Sequence, residues 1–234
     1  MGKTLISITK LILCVLLLVY AEEYFFEFFK WVGISVNELP VITLDLMVLF
    51  LYALIGMGIY FIYRDEIRGD LRRFMRNWFP NILMSIVFFA IFTIVIWVVS
   101  YLTESAAVAL NINYLGLNYL NIFNIPIDIK LISLILRSVF IIPFIKCSIY
   151  IHGINEIFKS RRSAMIFSGI LGALVVALTL RGSLGYLLIN VVPYFAMYFG
   201  LALIYRKNNN NIWFSYTTLW LYTLLASLIV ARIT

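Results

Sequence analysis

The sequence predicts an all-α polytopic membrane protein of about seven transmembrane helices, with its N-terminus in the cytoplasm. Hydrophobic residues make up 64% of the 234 residues, mean hydropathy is +1.02, and 12% of residues are charged. A soluble domain exposes too much surface to water to carry so apolar a composition. Several apolar runs also reach the ~20 residues that a helix needs to cross about 30 Å of hydrocarbon. We therefore expect residues 1–234 to form a single integral membrane domain.

The first two predicted spans lie in the N-terminal quarter of the chain. Residues 1–20 are similar to a signal peptide with a cleavage site at residues 19–21. The apolar pattern continues through residues 24–29, however, so we expect a retained helix with three glutamates at its outer end. The second span is predicted over residues 41–63 and has Asp45 near its start.

A basic segment and an amide-rich segment flank the third span, which is predicted over residues 81–101. Residues 64–80 hold five arginines and several aromatic side chains. This composition is typical of an amphipathic segment on anionic lipid, and equally of an ordinary cytoplasmic loop. Residues 104–130 carry five asparagines among apolar residues and include Glu104. They indicate an interfacial or re-entrant helix with a polar stripe, which Pro126 ends.

The fourth span, residues 131–152, carries Arg137 and Lys146 inside an otherwise apolar run. A cation near the middle of a bilayer costs roughly 2.5–3.5 kcal/mol on insertion scales, so it usually faces a protein interior and a partner. We expect Arg137 to pair with Asp45 or Glu104. The alternative, that both cations snorkel or pair for structural reasons alone, stays open.

Three further spans are predicted over residues 164–180, 184–205 and 212–230. In the sixth, Asn190 and Pro193 can interrupt the helix. Most of the 18 lysines and arginines lie on the side that this layout makes cytoplasmic, either at the N-terminus or in the loops on that side. This distribution follows the positive-inside rule. The net charge of +7 therefore reflects topology, and we expect the lipid bilayer, not a nucleic acid, as a partner.

The sequence contains no recognised metal, cofactor or disulfide motif. Cys14 and Cys147 lie in different apolar runs, and His152 is the single histidine. Ser148 and His152 are four residues apart and could share a helix face as nucleophile and base, with Cys147 adjacent and Glu156 as the one nearby carboxylate. Because an orienting group is not evident, we expect no catalytic residue, no metal and no cofactor.

Four stretches follow one another in a defined order in the second half of the chain. They are residues 143–153, a basic turn at residues 159–162, a helix at residues 164–176, and residues 211–213. Together with the basic loop from residue 64 onward, this order resembles the CPBP family, the CAAX-protease and bacteriocin-processing membrane proteins also called Abi. The first stretch is similar to that family's P-x-x-x-E-E-x-x-x-R-G motif.

The positions that match the family's catalytic groups are replaced in this chain. Cys147 and Ser148 stand where the family has paired glutamates, and His152 stands for the arginine. The remaining motif positions are also replaced: Gly172, Val176, Leu219 and Thr223. Valine and leucine have no donor, acceptor or titratable group. The resemblance therefore implies a non-catalytic member.

The resemblance implies a protein of a bacterial cell membrane that binds or regulates a peptide or protein partner, in bacteriocin self-immunity or peptide maturation. The partner would occupy a cavity lined by Arg137, Lys146, Cys147, Ser148, His152 and Asn190. The alternative is a permease-type subunit of a transporter, for example an ABC exporter, because interrupted helices with membrane charges are typical of substrate paths. An ATPase subunit would then dock on the basic loops.

Overall fold

The computed structural model describes residues 2–35, 39–115, 129–180 and 182–233. Eight helices and no strand occupy these residues, and the helix α5 comprises five consecutive α- and π-helical stretches. The helices are α1 (Gly2–Trp31), α2 (Val41–Ile62), α3 (Arg64–Arg76), α4 (Trp78–Ala109), α5 (residues 129–157), α6 (Arg161–Thr179), α7 (Leu184–Lys207) and α8 (Ile212–Ile233).

The architecture is that of an all-α multi-pass membrane protein, as predicted. Within the described residues, six helices are long and apolar enough to cross a membrane: α1, α2, α4, α5, α6 and α7. Helix α8 is 22 residues long, but its last side chains lie outside the described residues. The count of seven spans and the cytoplasmic N-terminus therefore stay predictions. Helix α7 runs unbroken through Pro193, so the expected interruption of that span is wrong.

The helix of the third span is longer than the predicted span. Helix α4 has 32 residues and continues to Ala109, so residues 104–109 of the amide-rich segment are helical. Asn111 follows with φ of 53°, a left-handed conformation that asparagine tolerates better than most residues. Of the predicted polar stripe, Asn118 and Asn121 lie outside the described residues.

The basic segment is a separate helix. Helix α3 has 13 residues and ends at Asn77, whose φ of −126° and ψ of 54° turn the chain into α4. The Asn81 side chain donates to the Phe74 carbonyl over 2.7 Å and so closes the open end of α3. Leu71 and Met75 of α3 remain exposed. An isolated helix of this length is marginal in water, so its stability depends on packing.

Helix α3 packs on the start of α8, and its placement on anionic lipid stays a prediction. Asp70 is 2% exposed, and its carboxylate accepts a 2.8 Å hydrogen bond from the Ile212 backbone N–H and forms an ion pair with Arg73. The Trp213 indole donates to the Ile67 carbonyl over 3.2 Å. A carboxylate at a helix N-terminus satisfies free N–H groups and complements the helix dipole.

Aromatic side chains form the centre of the bundle. Tyr63, Tyr150 and Tyr198 are each at most 1% exposed, and the rings of Tyr150 and Tyr198 meet edge to face at 4.7 Å. The Tyr198 ring occupies the space beside Gly172 of α6, where a Cβ atom would lie 1.9 Å from the ring. This close approach explains why Gly172 carries no side chain.

We expect Gly172→Ala to destabilise the protein. The added methyl group must displace the Tyr198 ring from its contact with Tyr150, and overpacking of this kind typically costs about 1–3 kcal/mol. Gly58→Ala is the matched control, because a Cβ atom at that helical glycine meets nothing within 4 Å. Thermal unfolding in detergent should show a lower midpoint for Gly172→Ala and an equal or higher one for Gly58→Ala. Equal midpoints for both variants would contradict the packing described.

Asp70→Ala should release α3 from the bundle. The substitution leaves the Ile212 N–H without its acceptor, and a buried unpaired donor costs about 1–3 kcal/mol. Trypsin should then cleave at the arginines of α3 at least 10-fold faster than in the parent protein. Asp65→Ala, an exposed acid in the first turn of the same helix, should leave the cleavage rate unchanged. Unchanged cleavage in Asp70→Ala would show that this carboxylate does not hold α3.

Candidate functional site

The candidate residues of the fourth span lie on a helix with two π-helical stretches. Residues Leu136–Ile141 form the first and Cys147–Gly153 the second, with Ile142–Lys146 between them. Pro143 follows the first stretch, and its ring opposes the carbonyl four residues earlier, which favours a wider turn there. Single π-turns in α-helices are frequent at functional sites.

Arg137 lies in the first π stretch and faces an aromatic ring. Its guanidinium is 6.0 Å from the centre of the Tyr52 ring, within cation–π range. The Tyr52 hydroxyl donates to Glu22 of α1 over 3.1 Å. No ion pair within the described residues joins Arg137 to Asp45 or Glu104. Arg137 therefore contacts the Tyr52 ring, and not the carboxylate that we expected.

The middle of α5 is enclosed. Cys147 and Ser148 are both 0% exposed, and Lys146 beside them is half-buried. The Ser148 hydroxyl and the His152 Nε2 atom are both buried without a hydrogen-bond partner among the described residues, so they do not bind each other. The other ring nitrogen of His152, Nδ1, lies 3.1 Å from the Tyr205 hydroxyl. The nucleophile–base pair considered from the sequence is not assembled.

Asn190 lies on another helix and has a structural role. Its side chain donates to the Asn113 and Tyr186 carbonyls over 3.1 and 2.9 Å, and it accepts a 2.7 Å bond from the Leu115 N–H. It thereby holds the segment after α4 against α7. Asn190 precedes Tyr205 by fifteen residues of α7, roughly 22 Å along the axis. Because Tyr205 contacts His152, Asn190 and His152 do not line one cavity.

Polar groups instead converge at the end of the bundle where α3, the α5–α6 turn and the α7–α8 turn meet, here called the α3 end. Arg206 donates to the Phe158 carbonyl over 2.9 Å, and Asn211 donates to the Asp70 carbonyl over 3.0 Å. These two bonds join the turns to each other and to α3. His152 reaches this end from the second π stretch of α5.

His152 is buried and forms a cluster with two half-buried glutamates. Its Nε2 atom lies 3.6 Å from a Glu156 carboxylate oxygen, and Glu66 of α3 completes a group whose nearest nitrogen and oxygen atoms all lie within 4.8 Å. The Tyr63 ring packs edge-on against His152 at 5.1 Å. A Cβ atom at Gly153 would lie 2.9 Å from the Tyr63 hydroxyl, so this glycine admits the ring.

The Tyr63 side chain is fully buried against this cluster. Lys10 of α1 lies over the same ring at 5.5 Å. The cluster therefore joins α1, α3, α5 and α7 through polar side chains.

An open pocket of about 250 Å³ lies next to this cluster at the α3 end. It combines two cationic side chains, five asparagines and one aromatic ring: Arg73, Asn77, Asn81, Lys207, Asn208, Asn209, Asn211 and Phe214. Lys207 and Asn209 are exposed, and Asn209 has φ of 53°. Such a set of donors suits an anionic group, because cations and amide N–H groups both donate to carboxylate or phosphate oxygens.

The sequence analysis predicted neither the pocket nor the proximity of Glu66 to His152. The run of four asparagines at residues 208–211 after Arg206 and Lys207 was a usable signal for the pocket. No comparable signal marks Glu66, which is one of several acids in α3 and far from His152 along the chain.

The fold and these sites define a multi-pass helical membrane protein with polar sites at one end of its bundle. Comparisons with protein-family models, with curated proteins and with solved structures found no match to the chain. The resemblance to the CPBP family stays a prediction.

Proposed function

We propose that this protein is a non-catalytic protein of a bacterial cell membrane that binds or regulates a peptide or protein partner. The resemblance to the CPBP family makes bacteriocin self-immunity or peptide maturation the context of the proposal. The observation that carries it is the open cationic and amide-rich pocket at the α3 end, lined in part by Arg73 and Lys207. The binding position thus differs from the cavity expected around α5.

The size and chemistry of the pocket favour one anchoring group of a larger partner. Pockets for drug-sized ligands are about 300–1,000 Å³, so a volume of about 250 Å³ accommodates one or two side chains. Lys207 offers an exposed ammonium, and the Asn209 amide can pair with a peptide backbone. Arg73 is partly neutralised by Asp70. An acidic side chain or a C-terminal carboxylate is the group that this arrangement fits.

The burial of the middle of α5 supports a non-catalytic function. Cys147 and Ser148 are both 0% exposed, so no substrate reaches these nucleophiles without opening of the bundle. His152 contacts Tyr205 and Glu156 and does not activate Ser148. A nucleophile needs a base within hydrogen-bond reach.

A second candidate function is the permease-type subunit of a transporter. The observation that favours it is α3, a helix outside the spans that is fixed to the bundle by Asp70 and exposes Arg64, Arg72 and Arg76. A rigid basic helix of this kind could transmit motion from a docked ATPase subunit. The same arginines also suit anionic lipid.

Charge reversal in the pocket should separate the two functions. We expect Lys207→Glu to lose a co-purifying peptide or maturation protein at least 10-fold, because the partner's anion would meet a like charge. Arg162→Glu is the matched control, since this exposed arginine lies outside the pocket. The measurement is quantitative mass spectrometry of partners retained by the tagged protein in mild detergent.

The other outcomes of this experiment decide against the first proposal. A nucleotide-binding subunit recovered in fixed ratio would support the permease alternative. A peptide partner retained equally by Lys207→Glu, Arg162→Glu and the parent protein would show that the pocket is not its binding site. Asn209→Gly preserves the left-handed backbone and removes the amide, so it tests the pocket without reversing a charge.

A further inference from the structure

The two glutamates around His152 share one nearby cation, Lys10 of α1. Glu66 and Glu156 bring their carboxylates within 4.8 Å of the imidazole and of each other. His152 is 5% exposed, and both its Nε2 atom and one Glu156 carboxylate oxygen are buried without a hydrogen-bond partner among the described residues. Such groups are costly to bury unless paired or bound to a metal.

A direct hydrogen bond between His152 and Glu156 explains this arrangement poorly. A charge-assisted N–H···O bond is about 2.7–2.9 Å long, whereas Nε2 and the nearest Glu156 oxygen are 3.6 Å apart. Around a tetrahedral ion with bonds of about 2.0–2.2 Å, neighbouring ligand atoms lie roughly 3.3–3.6 Å apart. The observed separation is thus long for a hydrogen bond and suitable for two ligands of one ion.

The other ring nitrogen is held in the manner common to metal-binding histidines. Nδ1 lies 3.1 Å from the Tyr205 hydroxyl. A partner on one nitrogen fixes the ring and directs the other nitrogen towards the ion. Tyr63 packs against the ring at 5.1 Å and restricts its rotation further. Nε2 is the ring nitrogen left without a hydrogen-bond partner among the described residues, and it lies beside the Glu156 carboxylate.

We propose that Glu66, His152 and Glu156 form a binding site for one divalent transition-metal ion. One imidazole nitrogen and two carboxylate oxygens suit Zn²⁺, Mn²⁺, Fe²⁺ or Co²⁺, and water would complete the coordination. Lys10, which lies close enough to interact with Glu156, can balance one carboxylate only. The sequence motifs led us to expect no metal, and this proposal differs from that expectation.

The ion would connect α3 to the membrane bundle. Glu66 belongs to the first turn of α3, while His152 and Glu156 belong to the inner end of α5. Asp70 already anchors the middle of α3 to α8, so the metal would fix a second point of the same helix. This inference does not rest on the proposed function, because it names no partner and concerns a separate set of side chains.

Metal titration of the full-length protein in detergent tests the proposal. A tag without histidine should be used, because the chain has one histidine. After treatment with EDTA and its removal, calorimetry should show one Zn²⁺ bound per chain. We expect Glu66→Gln and Glu156→Gln, which preserve side-chain size, to weaken the affinity at least 10-fold. Asp65→Asn, an exposed acid next to Glu66, should leave the affinity unchanged.

Two results would overturn the proposal. One is the absence of stoichiometric Zn²⁺ binding by the parent protein, and the other is equal affinity in the two glutamine variants and Asp65→Asn. If the glutamine variants do not accumulate, pulsed EPR of the Mn²⁺-loaded parent protein can show whether His152 binds the ion. Coupling to the nitrogen of one imidazole can come only from His152 and would support the site, and a spectrum without this coupling would refute it.

Discussion

The buried carboxylate of Asp70 holds α3 against the bundle, and both polar sites depend on that position. Asp70 binds the first N–H of α8 and Arg73, and it is almost completely removed from solvent. Arg73 is thereby directed to the pocket at the α3 end, and the preceding turn of the helix carries Glu66 to His152. A mobile α3 would remove one wall of the pocket and one member of the buried cluster.

The membrane imposes a second constraint on the placement of charge. Two polar side chains within the spans have partners in the protein: Arg137 faces the Tyr52 ring, and Asn190 binds three backbone groups. Lipid offers no such partners, so these contacts help to fix both residues in the bundle. Other polar groups of the described spans, such as the Ser148 hydroxyl, are buried without a hydrogen-bond partner among the described residues. The open pocket lies at the α3 end, where water, ions and other proteins have access.

The spans could be predicted because hydropathy reports directly on burial in lipid. Their ends could not, since α4 continues to Ala109 through Glu104 and Ser105, two polar residues that do not mark a membrane helix. The docking of α3 was also not predicted. Asp70 lies in a basic segment and looks like a solvated charge, while the backbone N–H that it binds in α8 lies far away along the chain.

The sequence identifies His152 as a polar residue within an apolar helix, and its role in a site stays a prediction. Its neighbours Glu66 and Tyr205 come from distant segments of the chain, so no spacing in the sequence connects them to His152. Arg137 and Asn190 were grouped with His152 because all three are polar. Their positions along the helix axes place each of them about 20 Å from His152.

Hydrogen–deuterium exchange in lipid nanodiscs tests most directly whether α3 is a fixed part of the membrane domain. An isolated helix of 13 residues is marginally stable in water, so protection of its amides requires packing against the bundle. We predict that the backbone amides from Ile67 to Phe74 exchange over minutes to hours, as those at the ends of the neighbouring spans do. Complete exchange of this segment within seconds would contradict a docked α3, and with it the geometry of both sites.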